Sequence, residues 1–286
     1  MCKVLVLGST GLIGHQVYFY LKSVGRYELF NFAYRTPLDN DTLILDARCE
    51  EVFVENIKKI NPNVIVNCIG ILIGGANKDP ENAIYLNAYL PHRLSRVAND
   101  IGAKLIHIST DCVFSGKKGN SYVETDPTDG TGFYSKSKGL GEILVDKHLT
   151  LRTSVVGPEL KTNGEELFHW FMSQTGDISG YTQSIWSGVT TIELARAVDF
   201  TIKKDVSGLY HVTNNVSISK YELLLLFKKY MNRDVNILPV DGYCSNKSFV
   251  DTRLVLDYKI PSYDSMIAKM ADRIFKEKVL YSQYQT

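Results

Sequence analysis

The stretch from Lys3 to Gly14 narrows the fold more than any other in the chain. KVLVLG, residues 3 to 8, is a short apolar run that reads as a strand buried on both faces. It leads into Gly8-Ser9-Thr10-Gly11-Leu12-Ile13-Gly14, after which Ile13, Val17 and Leu21 share one stripe at helical spacing. A glycine turn between a strand and a helix is suited to holding a dinucleotide. Gly8 permits the tight turn, Gly11 lets backbone approach a phosphate, and Gly14 lets the helix pack on the strand. Backbone N–H groups at the helix start then face the pyrophosphate. Thr10, Leu12 and Ile13 fall in the same turn and join the glycines as cofactor-binding candidates.

The rest of this half alternates strands and helices. Strands are expected at residues 28–34, up to Asp46, at 64–68, at 104–108 and at 148–158, with helices over 50–60, 80–87 and 91–101. That alternation predicts an α/β fold with a Rossmann-type, doubly wound parallel sheet. Ligands in such a sheet lie at the carboxyl ends of the strands. Asp46 and Ala47, and then Cys68, Ile69 and Gly70, are therefore cofactor-binding candidates. About twenty residues past the glycines, an NAD site carries an acid for the ribose hydroxyls. No acid lies between Leu29 and Thr36, where Arg35 stands instead, and arginine suits a 2′-phosphate. NADP(H) is the preferred cofactor on this ground, with NAD(H) as the alternative.

Beyond Pro158 the pattern loosens. Residues 165–174, 191–203, 220–231 and 263–278 read as helices, GLYHVT as a strand, and residues 176–188 as a Gly-, Ser- and Thr-rich stretch. The predicted division is an NAD(P)-binding Rossmann domain over 1–158 and a smaller, irregular α/β region over 159–286. The latter is mainly substrate-binding, and its segments are free to return to the first domain. Among 286 residues, 44% are hydrophobic and 22% charged, with a net charge of +1, which points to neither nucleic acid nor a membrane as partner. No apolar run approaches the roughly 18 residues of a membrane span, and the amino terminus carries no signal-peptide pattern. Five scattered cysteines without CxxC spacing fit a reducing cytoplasm, and no metal ligand set is read.

The chemistry is expected between Lys104 and Glu142. Thr110 lies just past the fifth strand, and Tyr134 and Lys138 stand at i and i+4 on one helical face. A free phenol ionises near ~10, too high for efficient acid–base work at neutral pH, and a neighbouring ammonium lowers that value. A hydroxyl, a phenol and an ammonium beside a nucleotide site suit carbonyl–alcohol redox chemistry, with Thr110 donating where negative charge develops.

GSTGLIG, VIVNCIG, ISTDCVFSG and YSKSK together resemble the extended short-chain dehydrogenase/reductase superfamily, and within it the dTDP-4-dehydrorhamnose reductase type. The similarity runs well from Lys3 to Gly157. It implies NADPH-dependent reduction of the 4-keto group of a nucleotide-linked 6-deoxy sugar, for glycan or polysaccharide precursor synthesis. Tyr134 would be the general acid, Lys138 its electrostatic partner and ribose ligand, and Thr110 the carbonyl-orienting hydroxyl. The resemblance also places Asn87 facing the cofactor and Arg152 to Ser154 beneath the nicotinamide. It suggests a homodimer through residues 85–98 and 139–145.

Three departures bear on the substrate. Cys112 stands where the reductases carry tyrosine and where related dehydratases place a glutamate next to Thr-Asp, so dehydration is not expected. GDP-fucose synthases resemble this layout with a cysteine two residues past the catalytic hydroxyl, paired with a histidine. Cys112 and His169 are therefore substrate candidates for an alternative epimerase–reductase. The usual substrate loop is replaced by residues 180–190, where Trp186 is a candidate for stacking on a base or sugar. A further alternative is a cofactor-binding regulatory subunit, similar to the non-catalytic subunit of methionine adenosyltransferase.

Overall fold

A computed structural model describes residues 1–145, 147–253 and 258–285. They fall into two compact units, the first made of Met1–Phe114, Pro127–Arg152 and Ala195–Tyr210, the second of Ser115–Asp126, Thr153–Leu194 and His211–Thr286.

The sheet of the first unit is built from β1 (Cys2–Leu7), β2 (Tyr27–Ala33), β3 (Thr42–Ile44), β4 (Val64–Asn67), β5 (Lys104–Thr110) and β6 (Leu149–Thr153), with Gly208–His211 beyond β6. Its seven strands run in the order Gly208–His211, β6, β5, β4, β1, β2, β3. The chain steps outward from β1 to β3 and then returns to β4, so the direction of winding switches between β1 and β4. A crevice opens at such a point in parallel sheets. β1 pairs in parallel with β2 and β4, which explains its unbroken apolar run: Val4 to Leu7 are covered on both faces. Phe53 and Ile57 of helix Glu50–Ile60, and Leu94 and Val97 of helix Leu90–Asp100, join Leu5, Leu7, Ile65 and Leu105 in one core.

Residues 80–100 differ from the two separate helices expected from sequence. The chain runs continuously through Pro80–Ala83, a π-helical turn at Ile84–Tyr89 and Leu90–Asp100. Pro91 has no N–H for the carbonyl of Asn87, and its ring crowds that carbonyl. A widened turn accommodates the proline without breaking the helix. The freed Asn87 carbonyl is met by Gly141, where a Cβ would overlap it. The expected sixth strand also divides: β6 stops at Thr153, and Val155–Val156 pairs instead with Val189–Thr190.

In the second unit, helix Lys220–Met231 begins at a capping box in which Ser219 and Glu222 satisfy each other's backbone N–H groups. Phe227 of this helix packs edge-on against Phe168 at 5.3 Å between ring centroids, and Tyr284 lies 5.4 Å from Phe168. Residues 115–126 belong here through Tyr122, whose N–H donates to Ser248 O at 2.8 Å, and through Glu124, which accepts from Thr252 Oγ1 at 2.6 Å.

One buried ion pair ties the first unit together behind β5. Arg152 Nε and Nη2 donate to Glu142 Oε1 and Oε2 at 2.6 and 2.7 Å, and Ser109 Oγ donates to Oε1 at 2.7 Å. Removing one partner strands the other charge away from water. Glu142→Ala is expected to lower unfolding free energy by about 3–5 kcal/mol, read by urea denaturation, whereas Glu55→Ala at the surface pair with Lys59 should leave the denaturation midpoint nearly unchanged.

Candidate active site

The glycine turn follows β1 and opens helix Gly14–Val24. Gly8 sits at φ +75°, and its N–H and that of Ser9 donate to Phe32 O at 2.9 and 3.0 Å, pinning the turn to β2. A Cβ on Gly14 would run into the carbonyl of Gly8, and one on Gly8 would stand 3.2 Å from the carbonyl of Cys68. Helix and turn therefore approach more closely than any side chain allows, and the β4 exit packs tightly against the turn. Gly8, Thr10, Gly11, Leu12 and Ile13 line the turn and are each half-buried. This cradle, closed to Cβ atoms and edged by backbone N–H groups, fits a pyrophosphate.

The turn after β4 is braced from two sides. Asn67 Oδ1 accepts from Ile69 N at 3.1 Å, so its Nδ2, 3.1 Å from His107 Nδ1, is the donor in that contact. Burial, with the Lys138 charge adding to it, pushes His107 well below its ordinary range, so its imidazole is neutral with the proton on Nε2. From the other side Asn87 Oδ1 accepts from Ile71 N at 2.8 Å, while its Nδ2 donates to Ile71 O at 3.0 Å and Ser137 Oγ at 3.2 Å. Asn87 thus joins the β4 exit to helix Phe133–Leu140. Burial pushes the Cys68 thiol up to about 12, leaving it protonated and inert at neutral pH.

Tyr134 and Lys138 lie one turn apart on helix Phe133–Leu140. Lys138 is 5% exposed, and its Nζ donates to Ile108 O at 2.7 Å, which brings the ammonium to the carboxyl end of β5. Burial lowers its pKa to about 8, against an upward pull from Glu142. A Cβ on Gly70 would stand 3.2 Å from Asn87 Oδ1 and 4.0 Å from Lys138 Nζ. Gly70, Asn87 and Lys138 therefore meet at one place. Two residues past Ile108, the Thr110 hydroxyl donates to Asp111 Oδ1 and accepts from Cys112 N, both at 3.1 Å, capping the short turn Asp111–Val113.

The remaining candidates have other partners. Arg35 is exposed, with its guanidinium 4.6 Å from the Tyr34 ring centroid. Asp46 is engaged by Arg48, and Ala47 is buried with its carbonyl accepting from Tyr85 Oη at 3.1 Å. Cys112 belongs to the first unit and His169 to the second, where His169 Nδ1 lies 2.6 Å from Tyr284 Oη. Trp186 corrects an expectation: it is 3% exposed, its ring 5.6 Å from Tyr263 and under the Lys220 ammonium, so it packs into the second unit and offers no stacking face. Arg152 likewise spends its guanidinium on Glu142.

Sequence reasoning missed the Asn67–His107 brace, the Glu142 carboxylate and Arg48. His107 and Glu142 carried a signal, since ionisable side chains in a buried strand or beside a glycine need partners. Arg48 carried none, because it follows β3 at an ordinary loop position. Among the described residues no helix is long and apolar enough to cross a membrane.

A doubly wound parallel sheet with a glycine turn after β1 and a Tyr–Lys helix reaching β5 defines an extended short-chain dehydrogenase/reductase. The chain belongs to the RmlD substrate binding domain family, whose model matches residues 2–246. It is 31% identical over 245 residues to the spore coat polysaccharide biosynthesis protein SpsK of Bacillus subtilis, covering 84% of this chain and 83% of that one. It is 27% identical to dTDP-4-dehydrorhamnose reductase of Escherichia coli, over 78% and 76% of the two chains. The crystal structure of dTDP-4-dehydrorhamnose reductase from Bacillus anthracis in complex with NADP superposes with a TM-score of 0.83 at 24% identity, covering 96% of this chain and 99% of that one.

Burying Lys138 lowers stability in a pH-dependent way. Between about 8 and 10.5 the unfolded chain holds a proton on this amine that the folded chain does not. The penalty is therefore complete below pH 8 and fades as pH rises toward 10.5. Lys138→Met is expected to unfold at higher temperature than the parent at pH 7, by a free energy on the order of 3 kcal/mol, with the gap narrowing by pH 9.5. Calorimetry at the two pH values measures it, and a gap independent of pH would assign the difference to packing.

Proposed function

We propose that this chain is an NADPH-dependent reductase of the 4-keto group of a dTDP-linked 6-deoxy sugar of the dehydrorhamnose type, serving polysaccharide precursor synthesis. The observation that carries the reading is the buried Lys138 ammonium, fixed on Ile108 O one turn from Tyr134. The names of the relatives favour it over the epimerase–reductase and regulatory readings. NADPH, when bound, supplies the hydride to the sugar's C4. The cradle from Gly8 to Gly14 would hold the pyrophosphate, and Cys68, Ile69 and Gly70 would lie along the cofactor.

The residues then divide the remaining work. As negative charge gathers on the ketone oxygen, the Tyr134 phenol gives it a proton. The Lys138 ammonium lowers the energy of the phenolate left behind, an effect strengthened by its burial. The Thr110 hydroxyl, placed by its contacts with Asp111 and Cys112, orients the carbonyl. Asn87 acts through the loop and helix it joins rather than on the substrate. We place the protein in the cytoplasm, where its nucleotide-sugar substrate is made, and assign it a homodimeric state. Leu140, Leu144 and Val145 are 70%, 61% and 61% exposed and would form part of that interface.

Purified protein mixed with NADPH and an enzymatically prepared dTDP-4-keto-6-deoxy sugar is expected to consume NADPH. Tyr134→Phe should lower kcat by about 100-fold or more while leaving NADPH affinity near that of the parent. Tight NADPH binding without turnover of dTDP-, UDP-, GDP- or CDP-linked keto sugars would sink the reading. In the active protein kcat/KM should decline as pH rises through about 8, where Lys138 loses its charge. A flat profile to pH 9.5 would remove Lys138 from the chemistry.

A further inference from the structure

We propose that Arg48, together with Arg35, grips the 2′-phosphate of the cofactor's adenosine, with Asp46 and Tyr34 aiming the Arg48 guanidinium. This rests on the NADPH reading above and names the residues that would set the preference for it. β1, β2 and β3 run parallel in register, with Leu7 opposite Phe32 and Ala33 opposite Ile44, and Leu45 N continues the pairing to Ala33 O at 2.8 Å. Tyr34 and Arg35 leave β2, and Asp46 and Arg48 leave β3, at the sheet edge that carries the glycine turn. With strands about 4.8 Å apart, these residues stand one and two strands outward of the turn, the direction in which an adenosine extends from its pyrophosphate.

Arg48 is held ready. Its Nε lies 3.0 Å from each Asp46 carboxylate oxygen, and its Nη2 donates to Asp46 Oδ2 at 2.7 Å and to Tyr34 Oη at 2.6 Å. Those contacts use the Nε hydrogen and both Nη2 hydrogens. The two Nη1 hydrogens have no partner among the described residues, so Nη1 keeps two donors for a ligand while Asp46 and Tyr34 fix the direction of the guanidinium plane. Arg35, exposed and also without a hydrogen-bond partner among the described residues, stands at the same ring: the two guanidinium carbons lie 4.6 and 5.4 Å from the Tyr34 centroid. Two guanidinium charges against one carboxylate leave one positive charge in excess, which suits a phosphate monoester of about −1.5 to −2.

The acids nearby are committed elsewhere. Asp46 is taken up by Arg48, whose hydrogen bonds hold it below the usual carboxylate range. Asp39, the first acid after β2, accepts from Tyr18 Oη at 2.7 Å, Lys22 Nζ at 2.9 Å and Thr42 Oγ1 at 3.1 Å. Burial opposes its ionisation, yet those bonds hold its carboxyl down at about 2. Neither carboxylate is left to receive the free ribose hydroxyl by which an NAD site is recognised.

Calorimetric titration of the full chain with NADPH, NADH, 2′,5′-ADP and 5′-AMP tests this without any turnover. Arg48→Ala is expected to weaken NADPH and 2′,5′-ADP by about tenfold or more, while NADH and 5′-AMP change by less than about twofold. Arg48→Lys should recover only part of the loss, because Asp46 and Tyr34 would not hold a compact ammonium on a flexible stem in the direction in which they hold the planar guanidinium. Arg35→Ala should act in the same direction, and the double variant should lose less than the product of the single losses, since both residues grip one group. Equal weakening of NADPH and NADH by Arg48→Ala, or an unchanged ratio between them while the parent protein prefers NADPH, would overturn this role and leave the NADPH reading standing. A parent protein that binds NADH as tightly as NADPH would overturn both.

Discussion

A buried ammonium group whose one hydrogen-bond partner among the described residues is a backbone carbonyl sets the arrangement at the carboxyl end of β5. Lys138 Nζ reaches Ile108 O, and its neighbours are arranged so that it can. Glu142 attracts it, but that carboxylate is bonded to Arg152 and Ser109 and does not quench the charge by direct contact. Gly70 keeps the space beside Nζ free of a side chain, and Ser137 ties the adjoining turn of the helix to Asn87. A lysine placed this way is poorly suited to stabilising the fold and well suited to stabilising an anion beside it.

The fold was readable because the apolar runs of β1 and β4, covered on both faces, and the strands beside them alternate with helical stripes. The glycine turn was readable for a similar reason: Gly14 stands where any Cβ would strike the Gly8 carbonyl, so the residue type reports the geometry. The π-helical turn over Ile84–Tyr89 was not, because a proline at 91 reads locally as a break and only the packing around it keeps the helix going. Trp186 shows the same limit from another side. A tryptophan in a Gly- and Ser-rich stretch looks available, and only its distant partners Tyr263 and Lys220 reveal that it is packed. Of the residues around the proposed site, those with a fixed spacing, such as Tyr134 and Lys138, could be seen. Those defined by a partner forty residues away, as His107 is by Asn67, could not.

The second unit carries fewer local signals, and its coherence comes from contacts between its ends. Helix Tyr263–Lys276 lies beyond residue 246, where the family match stops, yet Asp264 accepts from Lys229 Nζ at 2.8 Å and Tyr230 Oη at 2.7 Å on helix Lys220–Met231. Tyr284 brings the last described residues back to Phe168 and His169. Met266, Ile267, Met270 and Ile274 of helix Tyr263–Lys276 are buried, so it is part of the unit's core.

The brace made by Asn87 has a thermodynamic consequence. Because one carboxamide bonds both to Ile71 and to Ser137, the turn after β4 and the helix bearing Tyr134 lose their freedom together. On the proposed function, a ligand resting against Gly70 would meet part of the entropic demand of ordering that helix before the next ligand arrives. The second to bind then gives up less motion, and by reciprocity each of the two strengthens the other's hold. Cofactor and sugar would in this way cooperate beyond their direct contact, through a single asparagine placed away from the reacting atoms.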